Sequence, residues 1–236
     1  MGNTYFSFKQ FTVHQQGSAM KVCTDACIQG AFTALHIKDV PFVLDIGTGT
    51  GLLSLLLAQE SNASIDAIEL EPDAAEQARQ NFDSSPWKER LRLIREDVRF
   101  YHPAITYPFI ITNPPFYEND LKSINQQRNA AMHSVSLDYE ALLDAVIHLL
   151  SPDGRFSVLL PYEGFQRFRR LAEAEGFVLQ ELLEIRQTPA HGYFRAVGIF
   201  GRGGDVTGQQ SLTIYDDQRQ YTPAFIQLLK PYYLYL

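Results

Sequence analysis

Pro41-Phe-Val-Leu-Asp-Ile-Gly-Thr-Gly-Thr-Gly-Leu-Leu-Ser-Leu-Leu-Leu-Ala58 is the stretch that decides the fold. Its first part is a continuous apolar run ending in Asp45 and Gly47, which reads as a strand. Its last part, Leu52 to Ala58, reads as a helix with a buried face. Gly47, Gly49 and Gly51 therefore occupy a strand-to-helix turn. Glycines there let the backbone approach a ligand closely and leave the N–H groups of the helix start free for its polar end. The spacing is G-x-G-x-G, whereas dinucleotide binding uses G-x-G-x-x-G, so a pyrophosphate is not implied. Glycine-rich turns also arise for steric reasons alone. With a strand before, a helix after and Asp45 beside them, ligand binding is the better reading.

Downstream the pattern repeats. Ser64 to Leu70 reads as a second strand, with Glu69 near its end about 20 residues beyond the glycine turn, where an acid suits the two hydroxyls of a ribose. Glu71, Pro72 and Asp73 open the next helix, where acids are favoured by the helix dipole and proline fits the first turn. Leu91 to Asp97 reads as a third strand. Asp97 either accepts from the exocyclic amine of an adenine or caps the following turn, and the first is preferred because it is the third acid in a row to finish a strand. Tyr107 to Thr112 is the fourth strand, halted by Asn113-Pro114-Pro115-Phe116. Proline cannot donate to a ladder and restricts the residue before it. The turn thus presents an amide side chain, an unbonded carbonyl and an aromatic ring. Such a set can hold a planar group bearing an NH2: the Asn113 oxygen and the Pro114 carbonyl accept its hydrogens, and Phe116 stacks on its face. Taken alone, the string would read as a proline-rich surface turn with a solvated asparagine.

A helix over 137–150, a strand over 155–161 and a helix over 162–175 stopped by Gly176 come next. Strands follow over 178–186 and 195–200, with edge pairing expected near Thr213 to Tyr215 and a last helix over 222–230. Upstream, residues 1–20 are polar and aromatic without a period and are expected to form an extended arm. Residues 21–236 are expected to make one domain. Within them, Lys21 to His36 reads as a loop or short strand and then a helix capped by Thr24 or Asp25. The alternative makes that capped turn a lid, with Lys21, Thr24 and Asp25 facing a ligand. The alternation implies an α/β, Rossmann-like fold: a mostly parallel seven-stranded sheet with helices on both faces. Ligands in such sheets bind beyond the carboxyl ends of the strands, where Asp45, Gly47, Glu69, Asp97 and Asn113 would gather.

The 236 residues, 45% of them hydrophobic, suffice for one sizeable α/β domain and fall short of two. No apolar run approaches the ~20 residues of a membrane span, and the N-terminus lacks a signal-peptide layout, so a cytoplasmic location is expected. Cys23 and Cys27 have no second Cys/His pair at zinc-like spacing, so no metal is assigned; reduced thiols on one helix face are expected. A net charge of −7 argues against a sequence-blind nucleic-acid coat protein but allows a local basic face. Candidates for such a face are Arg128, His133, Arg167, Arg169, Arg170, Arg186, Arg195 and Arg202. Glu173 and Glu175 favour a merely solvated face for the three on the 162–175 helix.

Val43-Leu-Asp-Ile-Gly-Thr-Gly-Thr-Gly51, Glu69, Asp97 and Asn113-Pro-Pro-Phe116 together resemble the signature set of class I amino-methyltransferases dependent on S-adenosyl-L-methionine. The resemblance implies that the glycine turn holds the methionine part of that cofactor, Glu69 the ribose and Asp97 the adenine. It also implies that Asn113, Pro114 and Phe116 hold the amine to be methylated. It spans roughly residues 20 to 200. More narrowly, the chain is similar to the bacterial tRNA1(Val) (adenine-N6)-methyltransferases. This rests on Phe8-Lys-Gln-Phe-Thr-Val-His-Gln15, Met20-Lys-Val-Cys-Thr-Asp25, the lack of a large N-terminal domain and Lys230-Pro-Tyr-Tyr-Leu-Tyr-Leu236. That family's substrate implies the anticodon loop of tRNA as partner, with Lys21, Thr24 and Asp25 bordering the cofactor. Pro115, Tyr117, Arg128, His133 and Arg195 would then lie on the substrate side, and a monomer is expected. Many relatives have Tyr where Phe116 stands; stacking survives this, and Tyr117 is the residue that could restore a hydroxyl. Glutamine methyltransferases of release factors or ribosomal proteins, which share the Asn-Pro-Pro turn, are the main alternative. A DNA adenine or ribosomal RNA guanine methyltransferase and a non-catalytic cofactor-binding module are the others.

Overall fold

A computed structural model describes residues 3–16, 21–114, 138–204 and 208–236. The chain opens with an antiparallel hairpin of β1 (Tyr5–Ser7) and β2 (Thr12–His14). Then come α1 (Thr24–Ala34), β3 (Phe42–Ile46), α2 (Leu52–Glu60), β4 (Ser64–Glu69), α3 (Pro72–Asp83), β5 (Leu91–Arg95) and β6 (Tyr107–Thr112). The second half carries α4 (Tyr139–Leu149), β7 (Leu150–Pro161), α5 (Tyr162–Ala174), β8 (Val178–Arg186), β9 (Arg195–Gly201), β10 (Gly208–Thr213) and α6 (Pro223–Leu229).

Eight strands form one sheet in the order β10-β8-β9-β7-β6-β3-β4-β5. Only β9 runs against its neighbours, β7 and β8; every other pairing is parallel. The carboxyl ends of all strands but β9 thus share one rim. The sheet has one strand more than the seven expected, because β10 extends the edge beside β8. Its polar Gln209, Gln210 and Ser211 are exposed and give no apolar run to read.

Alternation along β3 assigns the two faces. Val43 packs with α1, α2 and part of α3 on one side, whereas Leu44 and Ile46 pack with α4 and α5 on the other. Asp45 shares the Val43 face and is fully buried. After β5 the chain returns to the far side of β3 to make β6, so the order reverses between β3 and β6. A sheet of this kind opens a crevice at such a reversal.

The sequence leads one to expect an extended arm over residues 1–20. The described part of them instead folds onto the domain, with Phe8, Phe11 and Val13 buried in the same core as α1 and α2. Phe8 bridges to Tyr233, and the Lys9 N–H donates to the Tyr232 carbonyl at 2.8 Å. Aromatic partners more than two hundred positions away compensate for the missing local period. Helix α1 also differs in detail: Cys23 is its N-cap, without a side-chain bond, and Thr24 and Asp25 are its first residues. Among the described residues no helix is long and apolar enough to cross a membrane.

Candidate active site

The glycine turn has the backbone its sequence demands: Gly47, Gly49 and Gly51 take φ of 71°, 58° and 83°. Such angles cost an ordinary L-residue about 1–2 kcal/mol. At Gly51 packing adds a second constraint, because a Cβ would lie 2.5 Å from the Phe82 ring of α3. Cβ atoms placed on Gly47 and Gly49 would meet nothing within 4 Å, so these two border open space at the rim.

The acids around this turn are held in specific ways. Asp45 Oδ2 accepts from Thr48 Oγ1 at 2.6 Å and from Ser54 Oγ at 2.7 Å. Its Oδ1 is buried without a partner among the described residues. Burial pushes the carboxyl up to about 6, opposed by the two hydroxyls. Glu69 reaches from the end of β4 to the turn: Oε2 accepts from the Gly49 N–H at 2.8 Å and Oε1 from the Glu71 N–H at 2.9 Å. Glu71 caps α3 through the Ala74 N–H, with Pro72 in the first turn, as its place at a helix start suggested.

Asp97 departs from its expected placing. Strand β5 ends at Arg95, and Asp97 caps a 3-10 turn, Val98–Phe100, accepting from the Arg99 N–H at 3.0 Å. The Arg99 guanidinium takes both carboxylate oxygens and holds the group below the usual carboxylate range. The capping alternative is therefore realised, through a cation only two residues away.

On the other side of the crevice, β6 pairs Thr112 with Ile46 of β3 and Val158 of β7. Asn113 leaves this strand end half-buried, and Pro114 after it is buried. The amide Oδ1 of Asn113 is buried with no hydrogen-bond partner among the described residues. A buried acceptor left unpaired costs about 1–3 kcal/mol, which marks a position awaiting a donor. Pro115, Phe116, Tyr117, Arg128 and His133 lie outside the described residues.

The remaining sequence-derived candidates divide. Asp25 and Arg195 come together, but with each other: Arg195 Nε donates to Asp25 Oδ2 at 2.9 Å, and Arg195 Nη1 to the Phe194 carbonyl. Thr24 and Cys27 lie beside the Tyr233 hydroxyl, so Thr24 faces the C-terminal segment; Lys21 is exposed. Arg167 pairs with Glu140 and Arg169 with Glu173, which fits a solvated face. Arg186 donates to Thr213 and lies over the Tyr193 ring, while Arg202 lies over Phe177. Both cysteines are free thiols; Cys27 is fully enclosed, and burial pushes its thiol up to about 12. Cys23, at the helix start, is exposed. Among the described residues no three His, Cys, Asp or Glu side chains converge as metal ligands.

The described site also contains residues that sequence reasoning passed over: Thr48 and Ser54, which hold Asp45, and Gln29, whose amide donates to the Thr112 carbonyl at 2.9 Å. Thr48 and Ser54 were visible as hydroxyls flanking an acid. Gln29 carried no signal, since glutamine in a helix is ordinarily exposed.

The sheet order, the glycine turn and the strand-end acids define a Rossmann-like class I methyltransferase. A solved structure from Agrobacterium tumefaciens, described as a predicted O-methyltransferase, shares the fold: TM-score 0.70 at 17% identity, over 88% of this chain and 96% of that one. The methyltransferase small domain family matches residues 30–155. A tRNA1(Val) (adenine(37)-N6)-methyltransferase of Dyadobacter fermentans is 41% identical over 98% of each chain, and one of Phocaeicola vulgatus is 38% identical over 99% of each. The chain belongs to this tRNA1(Val) (adenine(37)-N6)-methyltransferase family.

Proposed function

We propose that the protein transfers a methyl group from S-adenosylmethionine to the exocyclic N6 of adenine 37 in tRNA1(Val). The observation that carries this reading is the buried Oδ1 of Asn113, without a partner among the described residues, at the crevice between β3 and β6. Membership of the family, with matches running nearly end to end, supplies the substrate class.

The residues present suit the cofactor. Open space over Gly47 and Gly49 admits its methionine part, the orphaned Asp45 Oδ1 suits its ammonium group, and the fixed Glu69 carboxylate suits ribose hydroxyls. When bound, it supplies a methyl group on a positively charged sulfur. The chain's own contribution lies mostly in position. The Asn113 amide oxygen and the Pro114 carbonyl accept the two hydrogens of the adenine amine, whose lone pair is otherwise delocalised into the ring. Held this way, the nitrogen directs its lone pair at the methyl carbon, and the same oxygens stabilise the positive charge that develops on it. A strong base is not required beforehand, since the proton becomes acidic only as the new N–C bond forms. The target base must leave its stack to reach the turn, which favours an unpaired loop nucleotide.

The test is methyl transfer from labelled S-adenosylmethionine to total tRNA and, separately, to release factors and ribosomal proteins, followed by nucleoside digestion. The expected product is N6-methyladenosine in one tRNA. Label in protein with tRNA blank would mean that the turn receives a glutamine amide and would overturn the proposal.

A further inference from the structure

Helix α1 meets the sheet through three polar side chains spaced four apart, Asp25, Gln29 and Thr33, which lie on one helical face. Asp25 pairs with Arg195 of β9, Gln29 Nε2 donates to the Thr112 carbonyl of β6, and Thr33 Oγ1 bonds Ser157 Oγ of β7 at 2.8 Å. Gln29 and Thr33 are fully buried among apolar neighbours. Apolar side chains would seal such an interface as firmly, whereas buried polar contacts fix where the helix sits along the sheet.

Gln29 is the member of this stripe that touches the machinery. The carbonyl it holds belongs to the peptide linking Thr112 to Asn113. On the other side, Thr112 Oγ1 donates to the Ile46 carbonyl at 3.0 Å, so the last residue of β6 is gripped by side chains of its own and of α1. Past Asn113, the two prolines have no N–H with which to bond the turn to a neighbouring strand. The anchoring helix is itself fixed. A Cβ on Gly30 would fall 2.5 Å from Leu56 Cδ1, so the Leu56 side chain of α2 packs directly on α1 at this glycine, and α2 leads out of the glycine turn.

We propose that Gln29 is a positioning residue for methyl transfer: by holding the Thr112 carbonyl, it sets the direction of the Asn113 amide relative to the glycine turn. This rests on the reading of Asn113 as the acceptor of the adenine amine. Gln29 never meets either substrate. Its effect is on the alignment of the nitrogen with the methyl carbon, so it appears in kcat and leaves cofactor affinity alone.

The experiment compares Gln29→Met with Thr33→Val, which removes the neighbouring polar contact from the same helix face, a bond to Ser157 of β7 that does not involve Thr112 or Asn113. For both, Tm, the Kd for S-adenosylmethionine and single-turnover kcat on tRNA are measured. Gln29→Met should lower kcat about 10- to 100-fold with cofactor Kd within about twofold. Thr33→Val should lower Tm comparably and keep kcat near wild type. Gln29→Glu, nearly isosteric and able when protonated to donate to the same carbonyl, serves where the Met variant does not fold, and should retain more activity than any apolar replacement. Unchanged kcat in Gln29→Met, or parallel losses of kcat and cofactor affinity in both helix variants, would overturn the proposal. Absence of N6-methyladenosine with the wild-type protein would instead remove the functional reading on which it rests.

Discussion

At the end of β3, Asp45 receives two hydroxyls and Glu69 reaches over to take the N–H of Gly49, so the glycine turn is braced from inside the protein. One strand away, at the end of β6, Asn113 presents a buried amide oxygen that no described residue satisfies. The two loops share a rim and differ in what completes them. The first is braced before any ligand arrives by hydrogen bonds to both acids, with one buried Asp45 oxygen unpaired among the described residues. The second has no donor among the described residues, and on the proposed reading the adenine amine supplies it. The contrast separates a binding half from a reacting half and implies that their substitutions fail in different measurements.

The sharpest break comes from Asn113→Ala. Removing a preorganised acceptor costs about 10²–10³-fold in turnover, while calorimetric affinity for S-adenosylmethionine should stay nearly intact. Comparable losses in both would merge the two halves into one. The next effect belongs to Asp45. Its carboxyl titrates near 6 in the folded protein, above its ordinary value, so the folded state holds this proton more tightly than the unfolded state. The stability it contributes is therefore present at low pH and lost as pH rises through about 6. Cofactor binding should run the opposite way. Below that point the carboxyl is neutral and no longer attracts the ammonium group, so affinity should weaken by up to about tenfold per pH unit. In Asp45→Asn a pH titration of Kd should be flat and weak. The smallest effect is expected for Gly51→Ala, where the positive φ and the Phe82 contact predict a loss of about 1–2 kcal/mol. This corresponds to a Tm lower by about 2–8 °C. A variant as stable as the parent would show that the turn can rearrange and is not the rigid half.

The same contrast explains what the sequence disclosed. The glycine turn, Glu69, Asn113 and the strand–helix alternation were legible because each is a local pattern: an apolar run, then a residue type that only one backbone geometry or one chemistry requires. Glu71 likewise announced itself as a helix cap. Elements defined by distant partners were not legible. Phe8 and Phe11 look like a loose aromatic arm until Tyr232 and Tyr233 are beside them. Strand β10 has too few apolar residues to stand out and exists because β8 offers it an edge. The placing of Asp97 was only partly legible: it follows the end of β5 instead of closing the strand, and Arg99 draws its carboxylate into the next turn. Gln29 gave no sign at all, since its role depends on which carbonyl the fold brings under α1.

The pairing of the opening hairpin with the closing segment also constrains when the fold can be finished. The Lys9 N–H bonds Tyr232, Lys9 Nζ reaches the Lys230 carbonyl at 2.6 Å, and Phe8 bridges Tyr233. On a ribosome, the sheet from β3 to β7 can assemble while the remainder is still being made. Phe8 and Phe11, made before any strand of the sheet, must wait for residues 230–233 before their side of the core can close. A hairpin synthesised ahead of the sheet is thus among the last elements to settle.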